Sequence, residues 1–157
     1  MIFKMVLLIL ACFLPLASMA ADDDVPYIYQ NMNGGPPIGF YETRRLEAVI
    51  GDEVVKLSSC SSSTVTCIKG GGVFIAIPDS SIGYAQDGTK VVRSKEHDFV
   101  FFGLHVRSAV IDAKQGAVRF RTWYSDDRGL MAFSITVRGM TATYLLEGAK
   151  SGLEMKH

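Results

Sequence analysis

Four segments near the C-terminus constrain the fold more than anything else in the chain. HVRSAVID (residues 105–112), AVRFRTWY (117–124), LMAFSITV (130–137) and MTATYLLE (140–147) are rich in β-branched and aromatic side chains and are separated only by AKQG, SDDRG and RG. Runs of this length match strands better than helices, and links this short leave antiparallel neighbours as the natural pairing. A C-terminal four-strand meander is therefore expected. In the second segment Val118, Phe120 and Tyr124 alternate with Arg119, Arg121 and Trp123, and in the third Met131, Phe133, Ile135 and Val137 share one side. Alternation of this kind belongs to a sheet with one face buried and the other wet.

Upstream segments extend the same pattern. GGGVFIAIP is a short apolar run closed by Pro78, which reads as a buried strand. YAQDGTKVV carries Asp-Gly between two strand-like stretches, a hairpin cue. DFVFFGLHVRSAVID is strongly β-forming, and Gly103 within it is expected to mark a bulge or bend in one long strand. FYETRRLEAVIGDEVVKLSSC permits two readings. Leu46, Val49, Ile50, Val54 and Leu57 recur at helical spacing, whereas Gly51-Asp52 suits a tight turn between two strands. Glycine costs a helix interior about 1 kcal/mol relative to alanine, which favours the hairpin over residues 44–57.

The chain is thus expected to be mainly β, a single antiparallel β-sandwich or small barrel spanning residues 40–147. Residues 21–39 are dense in Asp, Asn, Gly and Pro and are expected as a flexible lead-in, with Tyr27 to Tyr29 as its one strand-like element. Residues 148–157, EGAKSGLEMKH from Glu147 on, form a tail too glycine-broken for more than a helical turn.

The opening MIFKMVLLILACFLPLASMA has a charged end, an apolar core and small residues before ADDD, the plan of a secretory signal peptide at residues 1–20 cleaved after Ala20. Its apolar run is shorter than the roughly 18 residues that signal a spanning helix, so no transmembrane span is expected in the mature chain. Cys12 raises lipidation as an alternative, against which Leu10 stands where a small residue is usual. Cleavage takes one lysine and leaves 15 basic residues against 16 acidic ones. That balance lacks the clustered basic footprint of a nucleic-acid binder. Periplasmic or secreted localisation follows, and with it an oxidising compartment.

After cleavage Cys60 and Cys67 are the remaining cysteines, within CSSSTVTC. A redox motif would prefer Cys-x-x-Cys at a helix start, and a structural zinc site needs about four ligands, for which His97, His105 and His157 offer no pairing motif. A disulfide between Cys60 and Cys67, fastening the neck of a serine-rich reversal, is the expected outcome.

Catalytic, metal and cofactor signatures do not assemble. Ser58 to Thr64 lack a nucleophile elbow. His97 in KEHDF has carboxylate neighbours, yet adjacent strand residues point to opposite faces, and a solvated turn is the expected setting. Gly70 to Gly72 lack the following helix of a phosphate loop, Asp126-Asp127 suits a hairpin tip, and Asp22 to Asp24 suit solvated chain rather than a calcium site. No catalytic, metal or cofactor-binding residue is assigned. Arg119, Arg121 and Trp123, with Arg107 on the neighbouring strand, form a candidate recognition face because Trp and Arg are enriched in binding hot spots. Against this, Arg stems often merely cover a sheet, and Asp112 is placed to pair across strands.

The expected function is that of an exported, non-catalytic binding or interaction protein of the bacterial cell envelope, an inhibitor or immunity-type protein being one version, whose partner is another envelope protein. A structural component of an envelope assembly and a hydrolase with a dispersed site are the alternatives. Oligomeric state is left open.

Overall fold

The computed structural model describes residues 25–148 and 151–155. The leader with Cys12, the acids Asp22 to Asp24 and His157 lie outside them. Among the described residues the chain is all strand and turn. The strands are β1 (Tyr27–Asn31), β2 (Ile38–Phe40), β3 (Glu47–Ile50), β4 (Glu53–Lys56), β5 (Ser58–Ser59), β6 (Val65–Gly70), β7 (Val73–Pro78), β8 (Ile82–Tyr84), β9 (Lys90–Phe101), β10 (Leu104–Gln115), β11 (Val118–Ser125), β12 (Gly129–Val137) and β13 (Met140–Leu146). Among the described residues no helix is long and apolar enough to cross a membrane.

Ten strands form one antiparallel sheet in the order β4-β3-β2-β1-β13-β12-β11-β10-β9-β8, and β5-β6-β7 form a second. All neighbours in the large sheet are sequential except β13 and β1, which pair Tyr29 with Leu146 and Asn31 with Tyr144. The meander from β10 to β13 follows the four apolar segments closely, and its registers set Phe120 opposite Ile135 and Thr122 opposite Phe133 on the inner face.

Turn chemistry explains the connections. Gly51 has φ 61° between β3 and β4, so residues 44–57 contain the hairpin and no helix. Phe102-Gly103 and Arg138-Gly139 both have positive φ at each residue, as a two-residue type I′ turn requires. Gly103 therefore ends a hairpin between two separate strands, where a bend within one long strand was expected. The mutual pairing of Phe101 with Leu104 and His105 with Val100 wins because a twisted two-residue turn satisfies both strands' backbone groups. His97 correspondingly sits within β9, opposite Ser108, instead of in a turn.

The expected lead-in also differs. Within residues 25–39 the Pro-Gly cluster is only the β1–β2 loop, where the Asn31 carbonyl side-chain oxygen accepts the Asn33 N–H at 2.9 Å. The flanking YIYQN and IGF are internal strands, because Tyr29, Ile38 and Phe40 are fully or almost fully buried. Tyr29, Phe40 and Phe133 pack edge to face at 5.5 to 5.8 Å, and Phe133 stacks on Tyr144 at 4.7 Å.

The small sheet covers the inner face. Every residue of β7 is buried, β7 packs on β9, β10 and β11, and Phe74 meets Phe120 with ring centroids 5.4 Å apart. The Sγ atoms of Cys60 and Cys67 are 2.11 Å apart, a disulfide that closes the residue 60–67 reversal, and both residues are buried. Asp87, in the β8–β9 turn, fastens the small sheet to the large one: it accepts hydrogen bonds from Lys69 at 3.0 Å, the Thr89 N–H at 3.0 Å and Gln115 at 3.2 Å.

The C-terminal residues are docked in extended form. The Leu130 N–H donates to the Leu153 carbonyl at 2.9 Å and the Gly152 N–H to the Arg128 carbonyl at 2.7 Å. The buried Tyr29 hydroxyl donates to the Leu130 carbonyl at 2.8 Å and accepts the Leu153 N–H at 3.1 Å. Burial pushes this phenol well above its ordinary pKa, so it stays neutral and able to donate.

Two outcomes follow. Tyr29→Phe strands a buried carbonyl and a buried N–H at once, and denaturant titration is expected to show a loss of about 1–3 kcal/mol. Asp87 has its pKa lowered to about 2 by hydrogen bonds from Thr89 and Lys69. A depressed carboxylate stabilises the fold in full above its ordinary pKa of 3.8 and loses that contribution as pH falls through about 2. The stability gap between the native chain and Asp87→Asn is accordingly expected to be constant from neutral pH to about 5 and to shrink toward pH 2.

Candidate functional site

Arg119, Arg121 and Trp123 occupy alternate positions of β11 and therefore share its outer face. Their β10 neighbours are Lys114, Asp112 and Val110 respectively. Arg121 is engaged: its Nε donates to Asp112 Oδ1 at 2.8 Å and its Nη2 to Asp112 Oδ2 at 3.2 Å, a two-pronged cross-strand pair at the surface. Arg119 faces Lys114 on one side and Thr136 on the other and is exposed. Trp123 is half-buried beside Val110.

Arg107 does not join them. Alternation along β10 sets it with Ala109 and Ile111, on the side away from Asp112. It pairs instead with Glu96 at 3.2 Å. The three β11 side chains are thus brought together, and the fourth member of the expected face is on the opposite pleat.

What continues the outer face is aromatic. β11 reaches only as far as Ala109 opposite Tyr124, and β8 pairs only with Lys90 to Val92, so the distal halves of β9 and β10 form a two-stranded ribbon. Residues 104–108 carry it about 17 Å beyond the end of β11 at the usual rise per residue. The extra residue on β9 between Arg93 and Glu96 strengthens its twist at the base, where Ser94 Oγ accepts the Val110 N–H at 3.0 Å. On the side shared with Trp123 and Val110 lie Val106 and Ser108, with Phe99 and Phe101 across the pair 5.9 Å apart and His97 against Phe99 at 6.5 Å. Ser108 is fully buried, and its hydroxyl has no hydrogen-bond partner among the described residues. These aromatics sit in the strongest β-forming run of the sequence. A bend at Gly103 does not foretell the hairpin that sets Phe99 opposite Val106 and Phe101 opposite Leu104, with the aromatics side by side along β9.

A second concavity lies at the inner-face end of the strands. A cavity of about 590 Å³ is walled by Tyr27, the residue 42–46 loop, the serines of the disulfide loop, Cys67 and the docked tail at Leu153 to Met155. Its hydroxyls already have local work: Ser61 Oγ accepts the Cys67 N–H at 3.2 Å and lies 3.0 Å from Ser59 Oγ. Glu42 and Arg44 pair across its rim at 3.4 Å. Among the described residues no histidine lines it, so the described wall offers these serines no imidazole base. Among the described residues no three His, Cys, Asp or Glu side chains gather as metal ligands would. His105 is exposed on β10, and Asp126, expected at a hairpin tip, is held there by Arg93 at 2.7 and 2.8 Å.

No family model matches this chain, and neither a curated protein nor a solved structure is significantly similar to it.

The Arg121–Asp112 pair is solvent-exposed on both sides, where such pairs contribute little. A double-mutant cycle with Arg121→Ala and Asp112→Ala is expected to return a coupling of about 0.2–1 kcal/mol, so that either variant remains folded and usable in binding assays.

Proposed function

We propose that this chain is an exported, non-catalytic binding protein that works in the periplasm or outside the cell and recognises another envelope protein through the outer face of β11. The reading treats the fold as a sandwich in which the small sheet supplies the inner layer and frees the outer face for contact. One observation carries it. Trp123, Arg121 and Arg119 stand at successive outward positions on an internal strand, held rigid by paired neighbours on both sides. Rigid aromatic and guanidinium groups lose little conformational freedom on binding, which is why they dominate interface energetics. The buried Cys60–Cys67 disulfide supports an oxidising compartment, and the leader pattern supports export. An inhibitor or immunity-type protein is the version of this role that a small rigid β scaffold serves best, by analogy of architecture alone.

Assembly through a sheet edge is the second reading. β4 is the outermost strand on one side of the large sheet and has Val54 60 % exposed, and an open edge can add another strand. Concentration-dependent self-association would favour it.

The test is a pull-down from envelope extract with the mature chain. Trp123→Ala and Arg121→Ala are each expected to lower partner recovery by tenfold or more, a hot-spot loss of at least about 1.4 kcal/mol, while melting stays close to native. Recovery of the same partners at undiminished yield by both variants would remove the β11 face from the function.

A further inference from the structure

The ribbon ends in FVFFGLH, residues 99–105, which holds five large apolar side chains and no carboxylate. At its extremity Val100 is 60 % and Phe102 64 % exposed, with Phe101 and Leu104 half-buried beside them. Phe102 has φ 49°, a left-handed conformation that bulky residues seldom adopt. The other type I′ turns meet the same demand differently. Gly71-Gly72 uses glycine twice, and Arg138-Gly139 places a charged side chain at the strained position. Leu46 is also apolar at positive φ, but it packs against the core; among the described residues a large apolar side chain faces solvent from such a position only at the ribbon tip. Strain retained at an exposed site points to use of that side chain.

The chemistry of what receives it follows from size and charge. Two phenylalanines at about 150–250 Å² each, with Val100 and Leu104, fall short of the ~800 Å² per partner that a stable protein interface needs. They are enough for a few side chains to enter the boundary between headgroups and acyl chains. The tip's backbone is ready for such a place, because Phe101 and Leu104 pair across the turn and leave few unsatisfied groups at the extremity. Behind the tip the charges nearly cancel: Arg107 pairs with Glu96 and stands opposite Asp98. Attraction to anionic lipid is therefore a minor part of the interaction.

We propose that the β9–β10 tip is a shallow lipid-docking element, in which Val100, Phe101, Phe102 and Leu104 seat the protein on a bilayer surface. This stands apart from partner recognition by β11, and neither test depends on the other.

The experiment is co-sedimentation of the full mature chain with phosphatidylcholine vesicles, with and without phosphatidylglycerol, alongside thermal melting. The native chain is expected to partition onto both vesicle types. Phe102→Gly is expected to weaken partition about tenfold or more, from loss of one aromatic's burial, while raising the melting midpoint by about 2–6 °C through relief of the left-handed strain. Phe102→Asp is expected to abolish partition. A native chain that stays in the supernatant with both vesicles, or partition undiminished in Phe102→Gly, overturns the proposal. So does partition that requires phosphatidylglycerol and disappears in salt, which assigns it to cations. Self-association lost in Phe102→Gly without vesicle binding would assign the tip to a second copy, and the lipid role would fall.

Discussion

The hydroxyl of Tyr29 is where the fold is joined. It reaches a carbonyl 101 positions along the chain and receives an N–H from 124 positions along it, in a site where neither group can turn to water. An unsatisfied buried amide or carbonyl costs more than a typical satisfied hydrogen bond contributes, so this oxygen is less a source of net stability than a condition for burying the end of β12 beside the tail. Around it the aromatic cluster of Phe40, Phe133 and Tyr144 supplies the apolar burial. The β1–β13 pairing makes one sheet of what would otherwise be two.

That join also explains which parts of the structure were legible in the sequence. The meander from β10 to β13 could be read because each strand alternates clearly and each link is short. The β3–β4 hairpin, the buried β7 and the Cys60–Cys67 staple were legible for similarly local reasons: Gly51-Asp52, an apolar run before Pro78, and two cysteines close together in CSSSTVTC. What escaped is non-local. YIYQN and IGF are too short to announce themselves, and the Pro-Gly cluster between them resembles a linker. They become strands because β13 offers an open edge and Phe133 with the docked tail packs against Tyr29 and Phe40, neither of which is visible from residues 25–39. The docking of Leu153 and Met155 escaped for the same reason, since SGLEM has no periodicity and its partners are the Tyr29 and Tyr124 hydroxyls.

The candidate surfaces divide along the same line. Strict alternation along β11 made Arg119, Arg121 and Trp123 neighbours from sequence alone, and Asp112 was correctly placed to pair with one of them. Arg107 required the parity of β10 relative to β11, which a sequence without register does not contain. The aromatic ribbon needed one further fact: whether Gly103 bends a strand or reverses it. A single backbone choice at Phe102-Gly103 decides whether Phe99 and Phe101 run along a sheet or stand above it.

Because the first strands pair with the last one, synthesis leaves β1 to β4 without their docking edge until Leu146 has been made. Contacts so distant along the chain slow closure, since the loop must be ordered before its contacts repay it. A nascent fragment that stops short of β13 would display an unpaired aromatic edge at Tyr29, the kind of surface that invites chaperones or aggregation. The molecule has, in effect, a built-in order of assembly: the seam between β1 and β13 closes only once β13 has been made.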